Sequence, residues 1–186
     1  MDQLIVKQLI FKYISYNYNI NMVELGSREV AAIGVMAALV CVATLLVQVP
    51  IPATEGFFNI GDALVIIASL TFGPIVGGLA GGIGSALADA IGGWYVWVPF
   101  TLIIKGAEGL IAGYLSRNRE NRSTQTLLIA WIAGGLVMVL GYFVVQVFMY
   151  GFTAALVEIP FNMVQMIVAG VLGIPVSMAL EKRIKL

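Results

Sequence analysis

Pro99-Phe100-Thr101-Leu102-Ile103-Ile104-Lys105-Gly106-Ala107-Glu108-Gly109-Leu110-Ile111 sets a lysine and a glutamate one helical turn apart in an otherwise apolar run. Across residues 60–115 the only other charges are Asp62 and Asp89. An ionisable group near the centre of a bilayer costs several kcal/mol, so it persists where it faces a protein interior, a partner or a wet cavity. The run reads as part of a membrane protein with a buried polar site.

Composition points the same way. The 186 residues are 60% hydrophobic and 11% charged, with a mean hydropathy of +0.98, far more apolar than one soluble core requires. Ten basic residues balance ten acidic ones, so no overall field favours nucleic acid or an acidic partner. Cys41 is the single cysteine and lies in an apolar run, where it reads as a small packing residue. Histidine is absent, which removes His-dependent triads and the commonest metal ligand, and no cofactor motif is visible.

A spanning helix needs ~20 mostly apolar residues. Apolar runs bounded by Gly, Pro or charge occur at residues 29–49, 60–72, 75–91, 96–115, 125–148 and 155–180. The expected fold class is therefore an all-α membrane protein of six transmembrane helices in the cell membrane. Between the first two runs, Pro50-Ile51-Pro52 favours an extended loop. Lys7, Lys12 and Arg28 precede helix one, Arg117, Arg119 and Arg122 follow helix four, and Lys182, Arg183 and Lys185 follow helix six. An even helix count puts all three clusters on one side, which the positive-inside rule makes the cytoplasm, with both termini there.

Residues 1–28 read as an N-terminal extension, either a short interfacial helix or a stretch ahead of an alternative start at Met22. Residues 29–181 form one membrane domain, and 182–186 a basic cytoplasmic tail. The third run is dense in glycine, from Gly73 to Gly84, at spacings that let helix backbones approach closely. Gly82-Ile83-Gly84 has neither a preceding strand nor a following Lys-Ser/Thr and does not read as a phosphate loop. On the first helix, Gly34 with Ala38 and Ala37 with Cys41 have small-xxx-small spacing, suited to internal packing or to a partner helix.

Polar residues recur on the last three helices. Tyr142, Gln146 and Tyr150 share one face of helix five, and Glu158, Asn162 and Gln165 share one face of helix six, descending from the same side. Lys105 and Glu108 lie ~12 to 17 Å below the outer start of helix four. These stripes imply a polar pocket open outward, because buried donors and acceptors in a membrane need partners. Trp94, Tyr95 and Trp97 on one side, and Glu55, Phe57, Phe58 and Asn59 on the other, flank its mouth. Structural readings stand beside the functional one. Lys105 and Glu108 can neutralise each other, Asp62 can cap helix two at the water boundary, Asp89 can hold Lys105, and the three aromatics can form an interfacial belt.

Four ordered features, Phe58-Asn59-Ile60-Gly61-Asp62-Ala63, Phe72-Gly73-Pro74-Ile75-Val76-Gly77, Pro99 to Gly106, and Pro160-Phe161-Asn162, resemble the substrate-binding S component of energy-coupling factor (ECF) vitamin transporters. The likeness spans roughly residues 29–180 and is nearest to the hydroxymethylpyrimidine/pyridoxine-like branch. It implies a subunit that binds a small vitamin or precursor from outside and assembles with a transmembrane coupling subunit and two cytoplasmic ATPases. The ligand would then meet the loop after helix one (Glu55, Phe57, Phe58) and helices four to six (Lys105, Glu108, Tyr142, Gln146, Glu158, Asn162, Gln165). The family's Ala-xxx-Ala coupling contact would fall on Gly34 and Ala38, with Gly in place of the first Ala.

Three other functions fit parts of the pattern. A self-sufficient small permease or channel would use Lys105 and Glu108 as a charge relay. An intramembrane lipid enzyme lacks histidine and a carboxylate-rich motif. A purely structural subunit would pair its polar stripes with each other.

Overall fold

The computed structural model describes residues 25–117 and 123–183. Most of the N-terminal extension, the middle of the Arg117–Arg122 loop and the end of the basic tail lie outside those residues. Six helices and one hairpin follow in order: α1 (Ser27–Leu46), β1 (Val49–Ile51), β2 (Gly56–Phe58), α2 (Gly61–Phe72), α3 (Pro74–Gly92), α4 (Val98–Leu115), α5 (Thr124–Tyr150) and α6 (Phe152–Glu181).

Chain chemistry places the breaks. Gly73, at φ 95°, ends α2, and Pro74 immediately opens α3, the Gly-stop and Pro-start arrangement that orphan carbonyls and a fixed φ favour. Pro99 sits in the first turn of α4, where its missing N–H costs nothing. A single residue, Gly151 at φ 86°, joins α5 to α6. The loop expected around Pro50 and Pro52 is instead a small antiparallel hairpin with Val49 opposite Phe58 and Ile51 opposite Gly56. Prolines are compatible with it because both strands are edges.

Among the described residues five helices, α1, α3, α4, α5 and α6, are long and apolar enough to cross a membrane. The sixth is a correction to the expectation of six full spans. With 12 residues, α2 is ~18 Å long, short of the ~30 Å hydrocarbon core. All but Leu64 and Phe72 of its residues are buried, as expected of a helix that is apolar all round. It runs between two apolar clusters, packing Ile67 and Ala68 with Met36 and Ala37 of α1, and Ile66 and Leu70 with Ala112, Leu127 and Ala169 of α4, α5 and α6. The outside of the bundle is the reverse, with Ile103, Val144, Phe148 and Val171 exposed and suited to lipid.

The glycines of α3 and α4 set the spacing at the centre. A Cβ on Gly109 would lie 2.3 Å from the Gly77 carbonyl oxygen, and one on Gly84 would lie 2.5 Å from that of Ala37. Both distances are impossible for real atoms, so only glycine allows α3 to touch α4 and α1 at these points. The two small-residue pairs of α1 separate accordingly. Ala37 and Cys41 are buried within the bundle, whereas Gly34 and Ala38 are exposed.

The helix ends sort into two faces. Gly26 and Arg28 share a surface hollow with Phe72 and Val76, Gly113 lies against Pro74, and Thr124 borders Glu181 and Lys182. Arg28, Arg117, Lys182 and Arg183, the described basic residues other than Lys105, therefore occupy one end of the bundle. The hairpin and the α3–α4 connection occupy the other.

Gly109→Ala should destabilise the isolated protein by ~1 to 3 kcal/mol, the usual cost of overpacking, read as a lower thermal midpoint in detergent. Gly34→Ala, whose added methyl meets nothing within 4 Å, should leave that midpoint unchanged or higher.

Candidate functional site

At the centre, the Lys105 ammonium donates to Asp62 of α2 and, at 3.3 Å, to Glu108 of its own helix. Its stem is buried, and the ammonium also lies 5.5 Å from the centre of the Tyr142 ring. The partner sequence reading had not supplied is Asp62. Rather than capping α2 at a water boundary, Asp62 is the second residue of the helix, only 1% exposed, and Ile60 takes the capping position. Gly61 permits this burial, since a side chain there would collide with Thr44.

From Asp62 the hydrogen bonds lead outward. Gln165 of α6 donates its amide N–H to the other Asp62 oxygen at 2.8 Å, and its carbonyl oxygen accepts the Asn59 backbone N–H at 2.8 Å. Asn59 in turn accepts the Gly61 N–H through its side-chain oxygen at 2.8 Å. One glutamine thus ties α6 to both the start of α2 and the strand that leads into it.

Above this network is a narrow polar cleft, lined by Thr44, Gly56, Phe57, Asn59, Ser85, Asp89, Trp97, Thr101, Lys105, Tyr142, Glu158, Asn162 and Gln165. The hairpin roofs it. The Thr54 hydroxyl donates to the Glu158 carboxylate, and the Trp97 indole N–H donates to the Glu55 backbone carbonyl at 2.8 Å. Trp97 is buried, its ring 5.8 Å from Tyr142 and 6.1 Å from Tyr150, and the Tyr142 hydroxyl donates to Thr101 at 3.1 Å.

The free space within this partly open cleft is about 30 Å³, room for one or two water molecules. The pocket expected to open outward is narrow and partly roofed. Its lining also differs from the sequence-derived set. Phe57, Trp97, Lys105, Tyr142, Glu158, Asn162 and Gln165 meet there, while Glu108 lies beneath, against Lys105. Gln146 is buried, and neither of its amide atoms has a hydrogen-bond partner. Glu55, at φ 48°, turns its exposed side chain away and contributes only its backbone carbonyl. Trp94 stands outside the cleft against Phe57, ring centres 5.1 Å apart, and Phe58 also lies outside its lining. Asp89 forms no ion pair with Lys105 among the described residues, and one of its buried oxygens has no hydrogen-bond partner.

Thr44, Gly56, Ser85 and Thr101 are lining residues that sequence reasoning did not single out. Thr44 and Ser85 are the polar positions of otherwise apolar stretches, a signal that was present but weak. Among the described residues, no group of three or more Cys, Asp or Glu side chains is arranged to hold a metal ion.

Comparison with known proteins places this architecture. Residues 24–182 match the family described as "ECF-type riboflavin transporter, S component". A Pyrococcus woesei protein described as an "uncharacterized protein in gap 3′ region" is 44% identical over 145 residues, covering 78% of this chain and 96% of its own length. The thiamine precursor transporter HmpT of Lactococcus lactis is 30% identical over 156 residues, covering 83% and 89% of the two chains. A solved S component of a bacterial ECF transporter superposes with a TM-score of 0.68 at 23% identity, over 86% of this chain and 98% of that one. The two descriptions that mention a cargo differ, so the S-component family is common ground and the hydroxymethylpyrimidine/pyridoxine-like branch is not. The chain belongs to the family of S components of ECF-type transporters: it is a multi-pass, substrate-binding membrane subunit and not an enzyme.

Proposed function

We propose that this subunit captures a small vitamin or vitamin precursor, of the size of hydroxymethylpyrimidine or pyridoxine, on the outer side of the cell membrane. It then delivers the cargo through a transmembrane coupling subunit driven by two cytoplasmic ATPases. The observation that carries the reading is the convergence of polar side chains from α1 and from α3 to α6 in one cleft, roofed by the hairpin at the end opposite the basic residues. Under the positive-inside rule that basic end is cytoplasmic, with both termini, and the cleft faces outward.

A planar ring would lie against Trp97 and Tyr142, which contribute area and stacking at little entropic cost. Asn162, Gln165 and Glu158 would satisfy its hydroxyl and ring-nitrogen groups. The free space in the cleft is smaller than such a guest, so admission widens it, and lifting of the hairpin with loss of the Thr54–Glu158 and Trp97–Glu55 contacts is the motion that would do so. The exposed Gly34–Ala38 face of α1 is flat and small, suited to close approach by a helix of the coupling subunit. The relay reading gains no support, since Lys105 is held between two carboxylates in the interior rather than in a continuous path.

Asn162→Ala should weaken binding of the ligand that co-purifies with the protein by ~5- to 150-fold, the effect of leaving a buried group unpaired, measured by calorimetry on purified protein. Unchanged affinity would remove Asn162 from the site. Trp97→Phe keeps a ring but loses the bond to Glu55. It should speed ligand release by ~2- to 10-fold with little change in association, followed by stopped-flow fluorescence. Gly34→Leu should abolish co-purification with the coupling subunit while leaving ligand affinity intact. Proteoliposomes with the lone chain should bind but not accumulate ligand, and uptake by that chain without ATPases would refute the delivery mechanism.

A further inference from the structure

Among the described residues the bundle interior holds four buried carboxylates, Asp62, Asp89, Glu108 and Glu158, and one buried cation, Lys105. Lys105 is engaged by Asp62 and Glu108, so those three cannot sum to a positive charge that would serve the other two. Neither Asp89 nor Glu158 makes an ion pair among the described residues: Asp89 lies beside the Thr101 hydroxyl and feels the Lys105 charge only from beyond ion-pair distance, and Glu158 accepts from the Thr54 hydroxyl. Both carboxylates line the cleft, they are 2% and 4% exposed, and one Asp89 oxygen accepts no hydrogen bond. A carboxylate taken out of water without a counter-charge is costly, and a cationic guest removes that cost on arrival. The aromatic lining suits the same guest, because the faces of Trp and Tyr attract cations.

We propose that the cleft takes a planar nitrogen heterocycle in its cationic form, with Asp89 and Glu158 as counter-ions and Trp97 and Tyr142 against the ring. This rests on the capture function proposed above and narrows its substrate class. Cargo charged permanently at a ring nitrogen, or protonated there, is preferred over an uncharged ring of equal size, and the acid excess discriminates among vitamins that share flat shape and hydroxyl groups. Lys105 does not oppose the guest, since its own charge is already matched within the network beneath.

The test uses the full-length protein in nanodiscs and a pair of probes of one shape: 3-hydroxymethyl-1-methylpyridinium and its uncharged carbon isostere, 3-methylbenzyl alcohol. Thiamine, a permanent cation, and riboflavin, which is uncharged, extend the comparison to vitamin size. The cationic member of each pair should bind at least about tenfold more tightly. Asp89→Asn and Glu158→Gln should each narrow that preference by about tenfold or more, and the wild-type comparison stands even if one variant fails to fold. Tighter binding of the uncharged members, or a preference untouched by both substitutions, overturns the charge assignment and leaves vitamin capture standing. Binding of no probe, together with no small molecule retained in native mass spectra, overturns both.

Discussion

A lysine shared by two carboxylates from different turns and different helices is the constraint on which this bundle is built. The Lys105 ammonium is buried, and removing one partner from such a buried arrangement typically costs ~3 to 5 kcal/mol. Asp62 must therefore be brought to Lys105, and α2 is the element that brings it. The helix is short, and all but two of its residues are buried among the others. Gln165 then fastens α6 to the same aspartate, so the charged centre also sets the position of the helix that supplies much of the cleft wall.

Close backbone packing makes that centre possible. Where α3 meets α4 and α1, no side chain intervenes at Gly77, Gly84 and Gly109, and dispersion contacts replace the hydrophobic drive that lipid does not provide. Small residues on one side of the bundle leave the larger polar and aromatic side chains of α4, α5 and α6 to fill the other. The cleft is the region where these two modes of packing meet beneath the hairpin.

Much of this was legible in residue order. Runs of apolar residues punctuated by Gly73-Pro74, Gly92-Gly93 and the polar stretch after Leu115 marked the helices to within a few positions, because those punctuations act locally. Helical periodicity likewise aligned Glu158, Asn162 and Gln165 on one face before any packing was known. What escaped was long-range. Lys105 has a carboxylate three residues away and another 43 residues away, and spacing can reveal only the first. Asp62 looked like a cap because a first-turn acid at a helix start is favourable whether it is wet or buried. Glu55 and Trp94 stand outside the cleft lining, a placement that spacing cannot give because the direction of a loop side chain depends on backbone torsions, such as the positive φ at Glu55. The hairpin was hidden by its prolines, which forbid a central strand yet permit an edge.

The one-residue turn at Gly151 holds the ends of the last two helices together. Gln146 lies five residues before it and Glu158 seven after it, so both ride on arms anchored at a common pivot with almost no slack. Sliding of α5 along α6 is suppressed, and what is left to the pair is tilting as a fork. A tilt changes the bore of the cleft on two walls together, giving the chain a way to adjust grip without rearranging the charged centre below.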